Sequence, residues 1–429
     1  MIHWRTDVVV IGAGAAGLAA ARTLKQAGVD LLVLEARDRI GGRAYTLADA
    51  NSEVPVELGA EYIHGDPPAT FALLRETGTR ALDDAEQSFT FRNRTLVDAE
   101  DIWQKLLEIL DSVNQVAEDQ TVEEFLQHMR RRGLTEHEFA SIRMLIEGFD
   151  AARSHDASIK AIAEEWRAAD GAGYRPSGGY GPLMNYLARG ITERLVLQTI
   201  VDEVVWHDGG VVVRGSRFDE RFEVRAKAAI VTLPIGVLRE LNVVRFEPDL
   251  PQEKRGAIDA IISGPVTKMV LQFRTAFWER AENGRFREAA FFQTPAGPFQ
   301  VFWTTLPQRS TQLVAWAGGT SADTVCKSNA GDCFVIAINQ LQTLFPECDV
   351  RSEVRNAYHH DWQCDPFARG AYSYLRVNGG NARALLARPL SNSVFFAGEA
   401  TVPAREAGTV AGALDSGYRA AGEVLSTLR

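Results

Sequence analysis

Three glycines near the start of the chain have the spacing that dinucleotide binding requires. Gly12, Gly14 and Gly17 stand between a short apolar run and an alanine-rich stretch. Gly12 permits a tight turn, Gly14 lets the backbone approach a pyrophosphate, and Gly17 lets a helix pack closely on a strand. Glu35 follows at the distance expected of a carboxylate that accepts hydrogen bonds from the adenosine ribose. The motif predicts a dinucleotide site rather than a ligand-free turn, but it does not distinguish NAD from FAD.

A lysine in an apolar segment is a second candidate for chemistry. Residues 264–273 predict a strand, on which Lys268 shares a face with Val266 and Val270 because side chains alternate. Such a lysine either protects a sheet edge from aggregation or is buried for a chemical purpose. Since lysine is seldom fully buried, the residues alone favour the sheet-edge explanation.

The elements that would position these residues alternate between strands and helices. Residues 7–43 predict a strand, a helix and a second strand. Apolar residues at helical spacing between about 101 and 169 predict a mainly helical insertion. The alternation predicts an α/β protein in which one nucleotide-binding domain is assembled from separated pieces around a substrate domain. Strands are expected again in three later segments, at 195–235, 263–317 and 393–397.

The composition of the chain limits the kinds of molecule that it is expected to bind. The chain has 429 residues, 46 Lys plus Arg against 56 Asp plus Glu, and a net charge of −10. This charge argues against a nucleic-acid or anionic-membrane partner and mildly favours cationic ligands. No apolar run reaches the roughly 18 residues of a membrane-spanning helix, so a cytoplasmic location is expected. The four cysteines and eight histidines show no metal-binding spacing, so no metal is expected and the thiols are expected to stay reduced.

The residues after the second strand distinguish the two cofactors. The segment 35–43, with Arg37, the pair Gly41-Gly42 and Arg43, resembles the extended FAD signature of the flavin amine oxidase superfamily. That superfamily includes monoamine oxidases, polyamine oxidases, histone lysine demethylases and L-amino-acid oxidases. In it, the glycine pair passes close to the cofactor while arginines neutralise its phosphates. Both arginines suit this role, because a guanidinium can bind phosphate oxygens in bidentate fashion.

The resemblance extends along nearly the whole chain. The segment 56–65 is similar to the family's second flavin-contact segment, and its ending is similar to that of animal polyamine oxidases. Residues 396–412 resemble the element that closes over the flavin, where a helix starting near Thr409 would direct its positive end at the ring. The resemblance implies that FAD is held by Gly12, Gly14, Ala16, Gly17, Glu35, Ala36, Arg37, Gly42, Arg43, Gly59, Ala60, Glu61, Val204, Trp362, Gly398, Glu399, Thr409 and Val410.

The resemblance also implies specific roles for single residues in these segments. The strand around Lys268 resembles the family strand whose lysine holds a water against flavin N5, which favours a buried catalytic lysine after all. Trp362 matches the tryptophan beside the flavin, Val204 matches the residue whose backbone holds the adenine, and Glu399 would bind the ribityl chain. Ala371 stands where monoamine oxidases have a flavin-linked cysteine, so the FAD is expected to be non-covalent.

Further residues are expected to contact the substrate. Tyr372 matches one wall of the family's aromatic cage. The opposite tyrosine is missing, and Glu406 either replaces it as an anionic contact or lies in a solvated loop. Tyr62 and His64 are candidates from the second flavin-contact segment, as is Glu61. His64 is equally compatible with a loop histidine that is satisfied by backbone groups.

The chain is identified as a member of this superfamily, closest to its polyamine oxidase-like members. The implied activity is FAD-dependent oxidation of an amine C–N bond to an imine, with O2 reduced to H2O2 and a polyamine-like substrate. An L-amino-acid oxidase or another related flavin oxidoreductase is the alternative, followed by a non-catalytic flavoprotein. The implied fold is a Rossmann-type FAD-binding domain of the GR2 type at 1–70, 195–255 and 385–429, with an inserted α+β substrate domain at 71–194 and 256–384 that has a helical part near 100–175.

Overall fold

A five-stranded parallel sheet forms the centre of the nucleotide-binding half of the molecule. The computed structural model describes residues 1–168, 173–295, 297–325 and 329–428. The predicted strand–helix–strand unit is present as β2 (Val8–Ile11), α1 (Ala15–Gln26) and β3 (Leu31–Leu34). In spatial order the strands are β11 (Leu195–Val196), β3 (Leu31–Leu34), β2 (Val8–Ile11), β15 (Ala228–Val231) and β24 (Val394–Phe396).

The parallel sheet is buried on both faces, which explains its unbroken apolar strands. Val8 and Val10 of β2 face a core that they share with α1 and α14 (Val410–Thr427). Val9 and Ile11 face a second core on the opposite side. A strand covered on both sides has no solvent face, so polar residues do not alternate along it.

A second five-stranded sheet covers the other face of the parallel sheet. Its central strands are joined by hairpins, and its apolar side chains belong to the same core as Val9. Its first strand, β1, pairs in parallel with β14 and was not predicted from the sequence. In spatial order the strands are β1 (Ile2–Arg5), β14 (Glu220–Ala226), β13 (Gly210–Arg217), β12 (Thr199–His207) and β16 (Arg245–Glu247).

A seven-stranded sheet carries Lys268. Its strand β18 (Val266–Phe273) lies between β22 (Val354–Asp361) and β21 (Gln312–Gly318), so the sheet-edge explanation for Lys268 is wrong. In spatial order the strands are β22 (Val354–Asp361), β18 (Val266–Phe273), β21 (Gln312–Gly318), β20 (Val301–Trp303), β19 (Phe291–Gln293), β8 (Ser88–Arg92) and β9 (Thr95–Asp98). Three smaller sheets pair β6 (Ile63–His64) and β7 (Ala81–Asp83) with β10 (Gly173–Pro176), β17 (Ile261–Ser263) with β23 (Ser373–Leu375), and β4 (Thr46–Leu47) with β5 (Val56–Glu57).

Four helices form the predicted helical insertion and share one apolar core. They are α3 (Glu100–Ser112), α4 (Val122–Arg131), α5 (Glu136–Phe149) and α6 (Ile159–Ala168). Reciprocal hydrogen bonds from Thr121 to Glu124 and from Thr135 to Glu138 begin α4 and α5. The remaining helices are α2 (Pro68–Thr77), α7 (Gly181–Ala188), α8 (Ile235–Leu238), α9 (Gln252–Ala260), α10 (Gly319–Val325), α11 (Ala330–Leu344), α12 (Val350–Glu353) and α13 (Ala382–Ala387).

The core of the parallel sheet reaches beyond the segments predicted for the FAD-binding domain. Leu74 of α2 and Leu183 of α7 pack in the same core as Val8, although both were assigned to the substrate domain. The exact domain division therefore stays a prediction. Over the described ranges, no helix combines the length and apolar character needed to cross a membrane. Cys326 and residues 169–172, which end the predicted helical region, lie outside the described residues.

Candidate active site

A long cleft opens at the carboxyl ends of the parallel strands, where open α/β sheets bind their ligands. Its floor is formed by the turns that follow β2, β3, β15 and β24, and β21 contributes to the opposite wall. The cleft brings together residues that lie far apart in the sequence. The predicted site residues on its walls are Gly12, Gly14, Ala16, Glu35, Ala36, Arg37, Gly42, Arg43, Gly59, Ala60, Trp362, Tyr372, Gly398, Glu399, Thr409 and Val410.

The glycine loop has the geometry of a phosphate cradle. Gly12 has φ of +107°, and a Cβ on Gly17 would lie 1.9 Å from the carbonyl oxygen of Gly12. Gly17 therefore serves helix packing and does not itself line the cleft. Gly14 is the N-cap residue of α1 and supplies no side-chain hydrogen bond. The first N–H groups of α1 are thus left for an anionic ligand, which fits a pyrophosphate.

Two cleft residues near the loop are held by hydrogen bonds and an ion pair. Glu35 accepts from the backbone N–H groups of Ala13 and Arg37, both at 2.8 Å. Burial nevertheless raises the pKa of Glu35 above its ordinary value. The Arg37 guanidinium lies 2.5 Å from Asp365. Burial would raise the pKa of Asp365, but hydrogen bonds from His360 and Arg37 hold it well below its ordinary value.

Glu399 ends a chain of buried polar contacts that runs out of the cleft. Its carboxylate accepts from Arg43 at 2.8 Å and from the Ser373 hydroxyl at 2.6 Å. Arg383 donates to the same hydroxyl at 2.5 Å and to Glu165 on α6 at 2.9 Å. Burial alone would raise the pKa of Glu399, but the charges of Arg43 and Arg383 lower it. Glu399 is therefore an ionised acceptor on the cleft wall.

Three aromatic residues line the part of the cleft nearest the seven-stranded sheet. Trp362 is buried and donates from its indole to the Leu58 carbonyl at 2.8 Å. Trp316 and Tyr372 stack with ring centroids 6.4 Å apart and planes at 18°. The Trp316 indole donates to the Gly148 carbonyl at 2.8 Å, which fixes its ring. The structure thus places a second aromatic ring beside Tyr372, contributed by β21 and not by the loop before Thr409 in which the sequence lacks an aromatic residue.

Lys268 lies directly behind the cleft wall. Its side chain is 1% exposed, and Nζ donates to the Gly59 carbonyl at 3.0 Å and to Glu61 Oε2 at 2.7 Å. Lys268 pairs in register with Trp316 and His360, so these three side chains leave the sheet on the same face. Because Gly59 and Trp316 line the cleft, Lys268 is one contact away from it.

Glu61 does not line the cleft, and its predicted contact with the cofactor stays a prediction. Its carboxylate lies beyond Lys268 and accepts from the Trp303 indole at 3.2 Å. Arg175 lies 3.1 Å from the same carboxylate. Burial would raise the pKa of Glu61, but the charges of Lys268 and Arg175 lower it.

The predicted substrate residues Tyr62 and His64 lie beyond Tyr372 rather than on the cleft wall. Their rings stack with centroids 6.3 Å apart, and the Tyr62 hydroxyl accepts from Arg175. His64 is exposed and meets the Phe149 ring edge-on at 5.6 Å. Tyr372 donates to the Phe149 carbonyl at 2.5 Å. Phe149 therefore connects this pair to the cleft.

Glu406 lies in the turn before α14, and its role as a substrate contact in place of the missing cage residue stays a prediction. It ends a short turn before α14, and its carbonyl accepts from the Thr409 hydroxyl at 2.7 Å. Burial and the nearby Glu406 carboxylate together raise the pKa of Asp415 on α14, so the side chain lies towards that helix. Thr409 and Val410 line the cleft, but Glu406 does not.

Val204, the predicted backbone contact of the adenine, does not line the cleft, and its contact with the adenine stays a prediction. Val204 is fully buried in the core between the two five-stranded sheets. The residues of β12 that line the cleft are Thr199, Ile200 and Val201. The pairing of β12 with β13 is irregular between Val201 and Glu203, so residues before and after this point are oriented by different registers.

The family model for flavin containing amine oxidoreductases matches residues 15–425. The chain belongs to this family. Polyamine oxidase 2 of Arabidopsis thaliana is 30% identical over 97% of this chain and 87% of its own length. Polyamine oxidase 4 of Oryza sativa subsp. japonica is 28% identical over 97% and 88%, respectively. The fold is similar to that of a putrescine oxidase solved with putrescine bound, with a TM-score of 0.82 at 21% identity over 99% of this chain and 100% of that one.

This flavin-containing amine oxidoreductase is therefore an FAD-dependent enzyme that acts on the CH–NH or CH–NH2 group of an amine. The cleft fits the cofactor, because the uncapped start of α1 suits a pyrophosphate and Glu35 suits a ribose. Within the described residues, no group of three or more His, Cys, Asp or Glu side chains is arranged to hold a metal ion.

Sequence reasoning missed three residues of this amine oxidoreductase site. Trp316, Asp365 and Arg175 each contact a predicted site residue from a distant part of the chain. A tryptophan in the otherwise small and aliphatic strand 312–318 was the available signal for the first. The other two lie in polar segments that are not distinguished from surface loops, so only the folded chain identifies them.

Proposed function

We propose that this chain is an FAD-dependent amine oxidase that converts a polyamine-like amine to an imine and transfers the electrons to O2. The observation that carries the proposal is the stacked pair Trp316 and Tyr372, which shares one cleft with the glycine loop. An ammonium that enters beside this pair can approach both rings within about 6 Å, the range of a cation–π contact. The cleft thus offers a cofactor site and an amine site that are continuous with each other.

In this proposal, the residues of the chain bind and orient the reactants. Bound FAD supplies two-electron redox chemistry. Glu35 and the start of α1 hold its adenosine diphosphate half, and Arg43 and Glu399 lie along the middle of the cleft. Ala371 has no nucleophile, so the cofactor is held non-covalently. Lys268 is the predicted catalytic residue, behind the wall formed by Gly59.

The overall reaction balances without a metal or a second cofactor. The amine loses two electrons and two protons as its C–N single bond becomes a C=N bond, and water then hydrolyses the imine to a carbonyl compound and an amine or ammonia. O2 accepts two electrons and two protons and becomes H2O2. The net charge of −10 favours the approach of polycationic substrates.

A polyamine-like substrate is also supported by the relatives, since two of them are polyamine oxidases and a protein of the same fold was solved with putrescine. An amino-acid substrate would need a cation for its carboxylate. Arg175 is close to Tyr62, but Glu61 and Asp84 already neutralise it. Arg175 therefore gives no specific support to the amino-acid alternative.

A peroxide-coupled screen of the purified flavoprotein tests the proposal. Putrescine, spermidine, spermine, benzylamine and the common L-amino acids would each be supplied in air, with catalase addition as the control for peroxide. We expect H2O2 with at least one di- or polyamine and bleaching of the flavin by the same amine without oxygen. Turnover of amino acids alone would contradict the substrate class, and a flavin that no amine bleaches would contradict the activity.

A further inference from the structure

The buried end of Lys268 belongs to a network of four charged side chains, Lys268, Glu61, Arg175 and Asp84. The Glu61 carboxylate lies between the two cations. Glu61 Oε2 lies 2.7 Å from Lys268 Nζ, and Glu61 Oε1 lies 3.1 Å from Arg175. Arg175 in turn lies 3.4 Å from Asp84. The Lys268 side chain is 1% exposed, and those of Arg175 and Glu61 are 8% and 10% exposed. These ion pairs are therefore buried and are not solvated pairs on the surface. Each cation faces at least one anion, so the network is electrically balanced.

The partners of Glu61 leave its carboxylate little freedom. The Trp303 indole donates to both of its oxygens at 3.2 Å. Arg175 is itself fixed, because it donates to the Thr304 carbonyl at 2.9 Å and to the Tyr62 hydroxyl. A carboxylate with this many donors occupies one position. The ammonium that it binds is therefore held in one position as well.

The orientation of Lys268 relative to the cleft depends on this contact. The Nζ atom has two acceptors, Glu61 and the carbonyl of Gly59, and Gly59 lines the cleft. Without Glu61, the ammonium would retain one neutral acceptor, and Arg175 would keep Asp84 as its remaining anionic partner. Removing one partner of a buried ion pair leaves the other charge uncompensated, so the remaining group is no longer held in its original position.

We propose that Glu61 is a positioning residue for Lys268, with Arg175 as the support that holds the Glu61 carboxylate in place. This inference rests on the proposed function, because it assigns Glu61 a role in amine oxidation through the predicted catalytic lysine. Glu61 itself touches neither the cleft nor the substrate. Its effect on the reaction is therefore expected to vanish when Lys268 is absent.

A double-mutant cycle on the FAD-loaded enzyme tests the proposal. The variants are Glu61→Gln, Lys268→Met and both together, with Glu61→Asp as the conservative variant that restores the charge. The rate of flavin bleaching by spermidine, measured per bound flavin without oxygen, should fall at least tenfold in Glu61→Gln. Glu61→Asp should recover part of this loss. The double variant should be no slower than Lys268→Met, since both changes act through one group.

Two readouts separate positioning from a purely structural role. In Glu61→Gln, the pH profile of flavin bleaching should shift, because the ammonium has lost its anionic partner. The midpoint potential of the flavin, titrated without any amine against a redox dye, should rise when this negative charge is removed and should rise less in the Lys268→Met background. A Glu61→Gln variant with lower thermal stability but unchanged rate, pH profile and potential would overturn the proposal.

The two proposals fail in different ways. If no amine bleaches the wild-type flavin, the proposed amine oxidation is wrong, while the potential measurement still decides whether Glu61 acts on the cofactor through Lys268. If wild type turns over but the double variant is much slower than Lys268→Met, Glu61 acts independently of the lysine. That result would remove the positioning role and leave the amine oxidase activity intact.

Discussion

Buried carboxylates next to the cleft differ in the donors that face them. Glu399 has two arginines within reach and its pKa is lowered against the effect of burial. Glu57 has no direct cationic partner: one oxygen accepts from Thr46 and from the Tyr180 backbone, and the other has no hydrogen-bond partner among the described residues. Burial raises the pKa of Glu57 to about 7. The same chemical group therefore has opposite protonation behaviour in neighbouring sites.

Glu57 should make the folded protein less stable as the pH rises. The folded state binds its proton more tightly than the unfolded state, whose carboxyl has a pKa near 4.5. Its contribution is fully present below pH 4.5 and is lost as the pH rises through about 7. In Glu57→Gln, this decline should shrink by an amount on the order of 3 kcal/mol. Thermal midpoints between pH 4.5 and 8 measure it.

Glu193→Gln is the matched control for this series, since it makes the same substitution at a carboxylate that is exposed to solvent. It should leave the pH dependence of the thermal midpoint unchanged. Equal slopes in wild type and Glu57→Gln would contradict the prediction.

Trp316 should contribute to amine binding through its ring face. Trp316→Leu and Trp316→Phe both lose the indole hydrogen bond to Gly148, but only the second retains an aromatic ring beside Tyr372. A cation–π contact of about 0.5–2 kcal/mol corresponds to a rise in KM for spermidine of about 2- to 30-fold in Trp316→Leu. Trp316→Phe should remain closer to wild type. Identical KM values in the two variants would show that the ring is not used.

Helices α1 and α14 pack in close contact beside the cleft. A Cβ on Gly417 would lie 2.2 Å from the carbonyl oxygen of Ala16, which is part of the phosphate cradle. Gly422, further along α14, has no atom within 4 Å of an added Cβ. Gly417 and Gly422 of α14 therefore offer a tight position and an open one.

Substituting alanine at each position should have opposite effects. Gly417→Ala should lower the free energy of unfolding by about 1–3 kcal/mol, since it forces the two helices apart, and should weaken FAD binding. Gly422→Ala should raise it by about 0.5–1 kcal/mol, because alanine favours a helix more than glycine does. Denaturant unfolding and flavin fluorescence measure the two effects. A tolerated Gly417→Ala would show that the helices can separate freely.

The elements themselves were largely predictable, and their contacts were not. The strand–helix–strand unit around α1 follows from apolar periodicity and glycine spacing, which are local properties of the sequence. The partners of Lys268 and Arg37 come from segments far along the chain, so no local pattern identifies them. The pairing irregularity of β12 between Val201 and Glu203 likewise leaves no trace in residue type.

In the whole molecule, one cleft is lined both by the nucleotide-binding half and by the sheet that carries Lys268. Residues from 11 to 413 line that cleft, so FAD would contact segments from nearly the whole length of the chain. A ligand that binds only the folded state stabilises it according to its concentration and affinity. The cytoplasmic location and the reduced state of the thiols stay predictions.

Removing the flavin should lower the thermal midpoint, and adding it back should restore it. FAD at about 100 times its dissociation constant should stabilise the apoprotein by about 2.7 kcal/mol. FMN should stabilise it less, because it lacks the adenosine that Glu35 and Val201 are positioned to contact. Differential scanning fluorimetry with FAD, FMN and NAD makes the comparison. A larger shift with NAD than with FAD would contradict the cofactor assignment at this site.

The order of synthesis of the chain has a consequence for how the enzyme matures. The cradle formed by Gly12 and Gly14 leaves the ribosome early, but Gly398, Thr409 and α14 complete the same cleft much later. A nascent chain can therefore present a phosphate loop while residues 15–397 are still being made, without being able to retain the vitamin-derived cofactor. Its maturation would depend on the cellular supply of FAD at the moment when α14 docks on α1.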